Sequence, residues 1–200
     1  MPDPQPDRPD LNDYLESSDI IDYDNPLVRE AANQLTYGLK DNLSIARVIY
    51  DFVKDQILYS FSINATSVPV KASEVLDKGH GICYAKAHLL AALMRASDIP
   101  AGLCYQLRYD VEAEQLLIHG FNALYIKELD RWVRLDASCH LDEDPWHFDT
   151  SRESPELSIN TSLGEHDDYT IYASPSRRVL KALDMSETID ELRNLLPSKI

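Results

Sequence analysis

The stretch that most constrains this chain is Gly79-His80-Gly81-Ile82-Cys83. Two glycines precede a lone cysteine, and a strongly periodic apolar segment starts on that cysteine. Cys83, Ala87, Leu90, Ala91 and Met94 fall on one helical face. The cysteine is therefore expected in the first turn of a helix running to about Ala96, where Pro100 blocks any extension. Unpaired backbone N–H groups and the positive end of the helix dipole stabilise an anion there. A thiol in that position carries more of the thiolate, the form that attacks electrophiles. Gly79 and Gly81 leave room for a substrate backbone beside it.

A nucleophile needs a base. His119 opens His119-Gly120-Phe121-Asn122-Ala123-Leu124-Tyr125-Ile126, which has strand character, and Trp132-Val133-Arg134-Leu135-Asp136 reads as the next strand. The polar segment 127–131 between them is hairpin-sized. A turn centred on Glu128-Leu129 sets Tyr125 opposite Trp132 and Phe121 opposite Asp136. His119 then shares a face with Asp136 as its diagonal neighbour, at roughly 7–8 Å between backbones. A slip of one residue would send Asp136 to the other face. Ala101 to Tyr109 alternates as a further strand, and residues 110–114 turn it back into the His119 strand. Three antiparallel strands behind one helix make an α+β domain.

A thiolate, an imidazole that takes and returns its proton, and a carboxylate that holds the ring are the parts of covalent acyl transfer. At these residues the sequence resembles the transglutaminase-like superfamily. The likeness is carried by Ser73-Glu74-Val75-Leu76, Gly79-His80-Gly81-Ile82-Cys83, Arg95-Ala96-Ser97-Asp98-Ile99-Pro100-Ala101, His119 with its strand, and Trp132-Val133-Arg134-Leu135-Asp136-Ala137-Ser138. It covers about half the chain, from near Tyr50 to Ser138. One departure is Gly120-Phe121, where family members often follow the histidine with a small residue and Trp. The resemblance implies a papain-like, transglutaminase-like cysteine-proteinase fold with the nucleophile helix packed on an antiparallel sheet. It implies Cys83, His119 and Asp136 as a triad acting on a peptide or carboxamide, with no cofactor. Compact members of the family are commonly read as cysteine proteases, so hydrolysis is expected. Transfer to an amine, as in a protein-glutamine transglutaminase, is the alternative. A non-catalytic module that keeps the fold to bind a peptide is a third. The resemblance also implies an oxyanion donor upstream of the cysteine. Tyr59 and Asn64 are the side-chain candidates, with Gln56 behind them, beside the backbone N–H of Cys83.

Competing chemistry is thin. Cys83, His119, Cys139 and His140 are soft enough to bind zinc, but no Cys-x-x-Cys or His-Glu-x-x-His spacing is present, so no metal is expected. A serine nucleophile lacks its Gly-x-Ser-x-Gly elbow. His80 competes with His119 for the base role but shares the tight loop with Cys83. His88 is expected to be a satisfied structural histidine, and Cys104 a core residue. Cys139 is either core or rim, and His147 and His166 are loop residues.

A net charge of −15 argues against nucleic-acid and anionic-membrane partners. No stretch approaches the ~18 apolar residues a membrane span needs. The start lacks the pattern of a signal peptide. Cysteines numbering 3 are an odd count, which with no export signal suggests reduced thiols in a cytoplasm. Residues 1–24 read as an N-terminal extension, loose over its first ten residues, and residues 25–200 as a single domain. The acidic cluster at Asp142, Glu143, Asp144 and Asp149 lies in a long polar loop, about 140–164, that is expected to rim or cover the cleft.

Overall fold

The computed structural model describes residues 3–138, Phe148, Thr150 and residues 157–199. Four helices precede the main sheet. In α1 (Pro26–Leu35), Asn25 accepts a hydrogen bond from the Leu27 N–H and Pro26 takes the first position, as the Asn-Pro pair predicts. α2 (Asn42–Gln56) is capped by Asp41, whose carboxylate accepts the Ser44 N–H at 2.8 Å. Ser73 is expected to cap α3 (Ala72–Lys78) but lies inside its first turn. The reason is local. Glu74 reaches back to the N–H groups of Val70 and Lys71, and Ser73 is drawn off to Asp22, onto which its hydroxyl donates at 2.6 Å. Gly79 ends α3 in the left-handed region, at φ 69°, where a Cβ would be strained.

The central element is α4 (Cys83–Ala96). Every residue from Cys83 to Arg95 is buried, so the helix has no solvent face. α1, α2 and α3 surround it on one side and the sheet covers the other. Two cations inside this helix are explained by carbonyls. Lys86 Nζ donates to the Ile57 carbonyl at 2.7 Å and to that of Lys54 at 3.3 Å, satisfying the end of α2. Arg95 donates to the carbonyls of Ala101, Ala173 and Glu16. An unpaired buried charge would cost several kcal/mol, so these bonds are what permits the burial.

With two short parallel strands β2 (Leu58–Tyr59) and β3 (His80–Gly81) preceding α4, the main sheet has the order β6-β5-β4-β7. β4 (Ala101–Asp110) runs antiparallel to β5 (Gln115–Ile126), and β5 to β6 (Arg131–Leu135). Tyr125 faces Trp132, the expected register, and Asn122 faces Leu135. Asp136 falls one residue past the end of β6. Asn122 ties helix to sheet by donating to the carbonyls of Ala87 and Gly102. β7 (His166–Asp167) completes the other edge of β4.

A second cluster on the sheet contains Tyr14, Cys104, Phe121, Leu157 and Ile171. It corrects the expectation of a loose N-terminus. Gln5–Pro6 (β1) pairs in parallel with Thr170–Ile171 (β8), and Tyr14 is fully buried. The Tyr14 hydroxyl accepts the Arg8 N–H and lies 2.8 Å from Asp7 Oδ1 and 3.0 Å from the Ile171 carbonyl. The chain closes with α5 (Arg177–Asp184) and α6 (Ile189–Leu195). Among the described residues, no helix is long and apolar enough to cross a membrane.

Candidate active site

Cys83 is the first residue of α4. The residue before it, Ile82, has an apolar side chain and supplies no capping hydrogen bond, so the first-turn N–H groups stay available. Gly81 is held by β2–β3 pairing opposite Tyr59, and a Cβ on it would lie 3.0 Å from that of Ala85. The loop therefore hugs the helix start. Cys83 is buried, with 8% of its surface exposed.

On β5, the His119 Nε2–H donates to Asp136 Oδ2 at 2.7 Å. The Cys83 sulfur lies close enough to the ring to favour its charged form. Asp136 is anchored in turn. The Ser138 N–H and hydroxyl both donate to its Oδ1, at 2.8 and 2.6 Å, and the Tyr50 hydroxyl donates to its carbonyl at 2.9 Å. Burial opposes charge on the His119 ring, but the Asp136 carboxylate and the Cys83 sulfur outweigh it and push the imidazole up to about 10. Burial likewise opposes charge on Asp136. The His119 cation and the Ser138 bonds overcome it and hold the carboxyl at about 2.

The family model described as the transglutaminase-like superfamily matches residues 29–137, a span that contains all three of these residues. The chain belongs to this superfamily. Among solved structures it is similar to a candidate cysteine protease from Cytophaga hutchinsonii, at 22% identity and a TM-score of 0.55, over 66% of this chain and 43% of that one. It is also similar to the periplasmic domain of TgpA from Pseudomonas aeruginosa, at 17% identity and a TM-score of 0.46, over 64% of this chain and 47% of that one. The chain thus spans less than half the length of these structures. No curated protein matches it. Cys83 opens α4, His119 lies on β5 and Asp136 directly follows β6.

The remaining candidates separate by position. Tyr59, in β2, lies near enough to Cys83 and Asp136 to feel the charge of both. Burial first, and those negative charges second, raise its phenol well above the usual value, so it stays a neutral donor. Asn64 is exposed in a turn at φ 50°, and Gln56 is exposed at the end of α2. Both nitrogens of His80 are engaged, Nδ1 at 2.9 Å from Ser60 Oγ and Nε2 at 3.4 Å from Ser67 Oγ. Burial lowers its pKa. His88 departs from expectation. Its Nδ1–H donates to the Val70 carbonyl at 2.9 Å, but its buried Nε2 has no partner among the described residues. Burial pushes that ring down to about 4, so it is neutral. Cys104 is core. Among the described residues no group of three or more His, Cys, Asp or Glu side chains could hold a metal. Cys139, His140, His147 and the cluster at Asp142, Glu143, Asp144 and Asp149 lie outside the described residues.

Sequence reasoning overlooked the supports. Ser138, two residues after Asp136, is an Asx-turn spacing that could have been read. Gly120 is a packing requirement with no local signal. A Cβ there would lie 2.6 Å from Tyr84 Cδ1. Tyr84 cannot yield, because it is buried and its hydroxyl donates to the Ile118 carbonyl. Gly120→Ala is expected to destabilise the protein by about 1–3 kcal/mol, read as a fall in urea midpoint. Tyr84→Leu in the same chain should recover part of that loss. No recovery would mean that the ring is not the obstacle.

Proposed function

We propose that the chain is a thiol-dependent acyl-transfer enzyme acting on a peptide or carboxamide, with Cys83, His119 and Asp136 as its catalytic residues. The observation that carries this reading is the His119 ring, bonded through Nε2 to the buried Asp136 carboxylate and near enough to the Cys83 sulfur for both to favour its charged form. The Cys83 thiolate adds to the carbonyl carbon, and the carbonyl oxygen becomes an oxyanion. The Cys83 N–H and the Tyr59 hydroxyl are the donors we assign to it. His119, protonated at neutral pH, gives a proton to the leaving nitrogen as the carbon–nitrogen bond breaks. A thioester on Cys83 remains. Water then attacks it, His119 takes the proton, and collapse releases the acid and the thiolate. Asp136 fixes the ring orientation through both halves of the cycle.

Water is the acceptor we favour, because it needs no second binding site. The partner is then a peptide or protein substrate. A reducing compartment such as the cytoplasm suits the Cys83 thiol on which this chemistry depends. The test is to incubate the chain with a peptide library, quench in acid, and identify the acyl group on the Cys83 peptide by mass. An acyl thioester that is absent from Cys83→Ala supports the reading. Adding a primary amine then separates free-acid from amide products. A library that leaves Cys83 unmodified and every peptide intact refutes it.

A further inference from the structure

A cleft of about 340 Å³ opens beside the candidate site, between the β4–β5 turn, α6 and the segment after β2. Its apolar walls are Tyr59, Phe61, Leu117 and Leu196. Two of these connect it to the triad. Leu117 lies two residues before His119 on β5, so both side chains leave the strand on the same side. Tyr59 pairs across β2–β3 with Gly81, two residues before Cys83, and lines the cleft together with Asp110 and Arg193. Tyr59 and Leu117 thus set the cleft next to the loop and strand that carry Cys83 and His119.

The charges at its rim are unequal. Arg193 is already engaged. Its guanidinium is 2.7 Å from Glu112 Oε2 and lies over the Phe61 ring, 4.6 Å from the centroid. Asp110, half-buried in the lining, uses Oδ1 to accept the Ala113 N–H at 2.8 Å. Its Oδ2 accepts no hydrogen bond among the described residues. A carboxylate in the lining of a cleft with aromatic and aliphatic walls, beside a cation already paired with Glu112, favours a positive or strongly donating group.

We propose that this cleft is a specificity subsite for a positively charged side chain, lysine or arginine, of the peptide substrate, its stem along Phe61 and Leu117 and its head at Asp110. This rests on the acyl-transfer reading above. It makes the enzyme selective for basic segments, in keeping with a chain of net charge −15.

The test uses the full chain and three iodoacetamide probes of equal length, ending in a guanidinium, a neutral amide or a carboxylate. Each alkylates Cys83 as the thiolate displaces iodide. Below saturation, the guanidinium probe should label Cys83 about tenfold faster than the neutral one, and the carboxylate probe should be slowest. Asp110→Asn keeps the Oδ1 acceptor that holds the turn, so the fold should survive, and the guanidinium-to-neutral ratio should fall to within about twofold. Asp98→Asn, an exposed change of the same charge, should keep the ratio. Equal rates, a preference for the carboxylate, or a ratio that survives Asp110→Asn would overturn the proposal. Failure of the acyl-transfer reading looks different: neutral-probe labelling no faster than a free thiol and insensitive to His119→Ala, whatever the tail preference.

Discussion

With alanine in place of His119, peptide turnover falls by about 10²–10⁴-fold while the protein remains folded. The loss follows from geometry. Without the imidazole nothing holds a proton between the sulfur and the leaving nitrogen, and the acyl-enzyme has no base to activate water. The fold survives because the side chain is 23% exposed and the carboxylate it leaves behind keeps two bonds from Ser138. Stability should still carry a pH signature. The His119 ring is raised from 6.5 to about 10, so its contribution is complete below pH 6.5 and is lost as pH climbs through about 10. Asp136 is depressed from 3.8 to about 2, so its contribution is present above pH 3.8 and is lost as pH falls toward about 2. The urea-midpoint gap between the native chain and His119→Ala should therefore be widest between pH 3.8 and 6.5 and close on either side. A gap that widens toward alkaline pH would contradict the ion pair.

Tyr59→Phe removes one hydroxyl and nothing else, and it should lower kcat by about 10²–10³-fold. The phenol is kept neutral by burial and by the negative charges of Cys83 and Asp136, so it has a proton to donate when an oxyanion forms. A phenyl ring fills the same space between β3 and Phe61, and packing is retained. Because the bond is made in the transition state and not to the resting carbonyl, KM should change far less than kcat. Alkylation by iodoacetamide builds no oxyanion. The substitution should therefore slow peptide turnover much more than it slows alkylation. Equal slowing of both would make Tyr59 a support for Cys83 and would leave the Cys83 N–H as the donor.

How far the sequence discloses this arrangement depends on whether a signal is local. The bounds of α4 are legible because glycines, an apolar period and Pro100 punctuate one continuous segment. The β5–β6 register is legible because a short polar turn allows few pairings, and it fixes Asp136 beside His119. The expected loose start fails because Gln5–Pro6 pairs across the chain with Thr170–Ile171, and two residues carry no period. Lys86 and Arg95 are charged residues in an apolar helix and are nonetheless buried, since their partners are carbonyls from other elements. The sequence does not separate Tyr59 from Asn64, for the same reason. Both lie in one irregular stretch, and only β2–β3 pairing brings the first of them beside Gly81.

The most direct measurement is the rate at which iodoacetamide modifies Cys83 at neutral pH, mapped by peptide mass against Cys104 in the same chain. The account predicts labelling well above that of a free thiol, confined to Cys83, and lost in His119→Ala. Labelling of Cys83 at the rate of free cysteine, unchanged by removal of the imidazole, would contradict it.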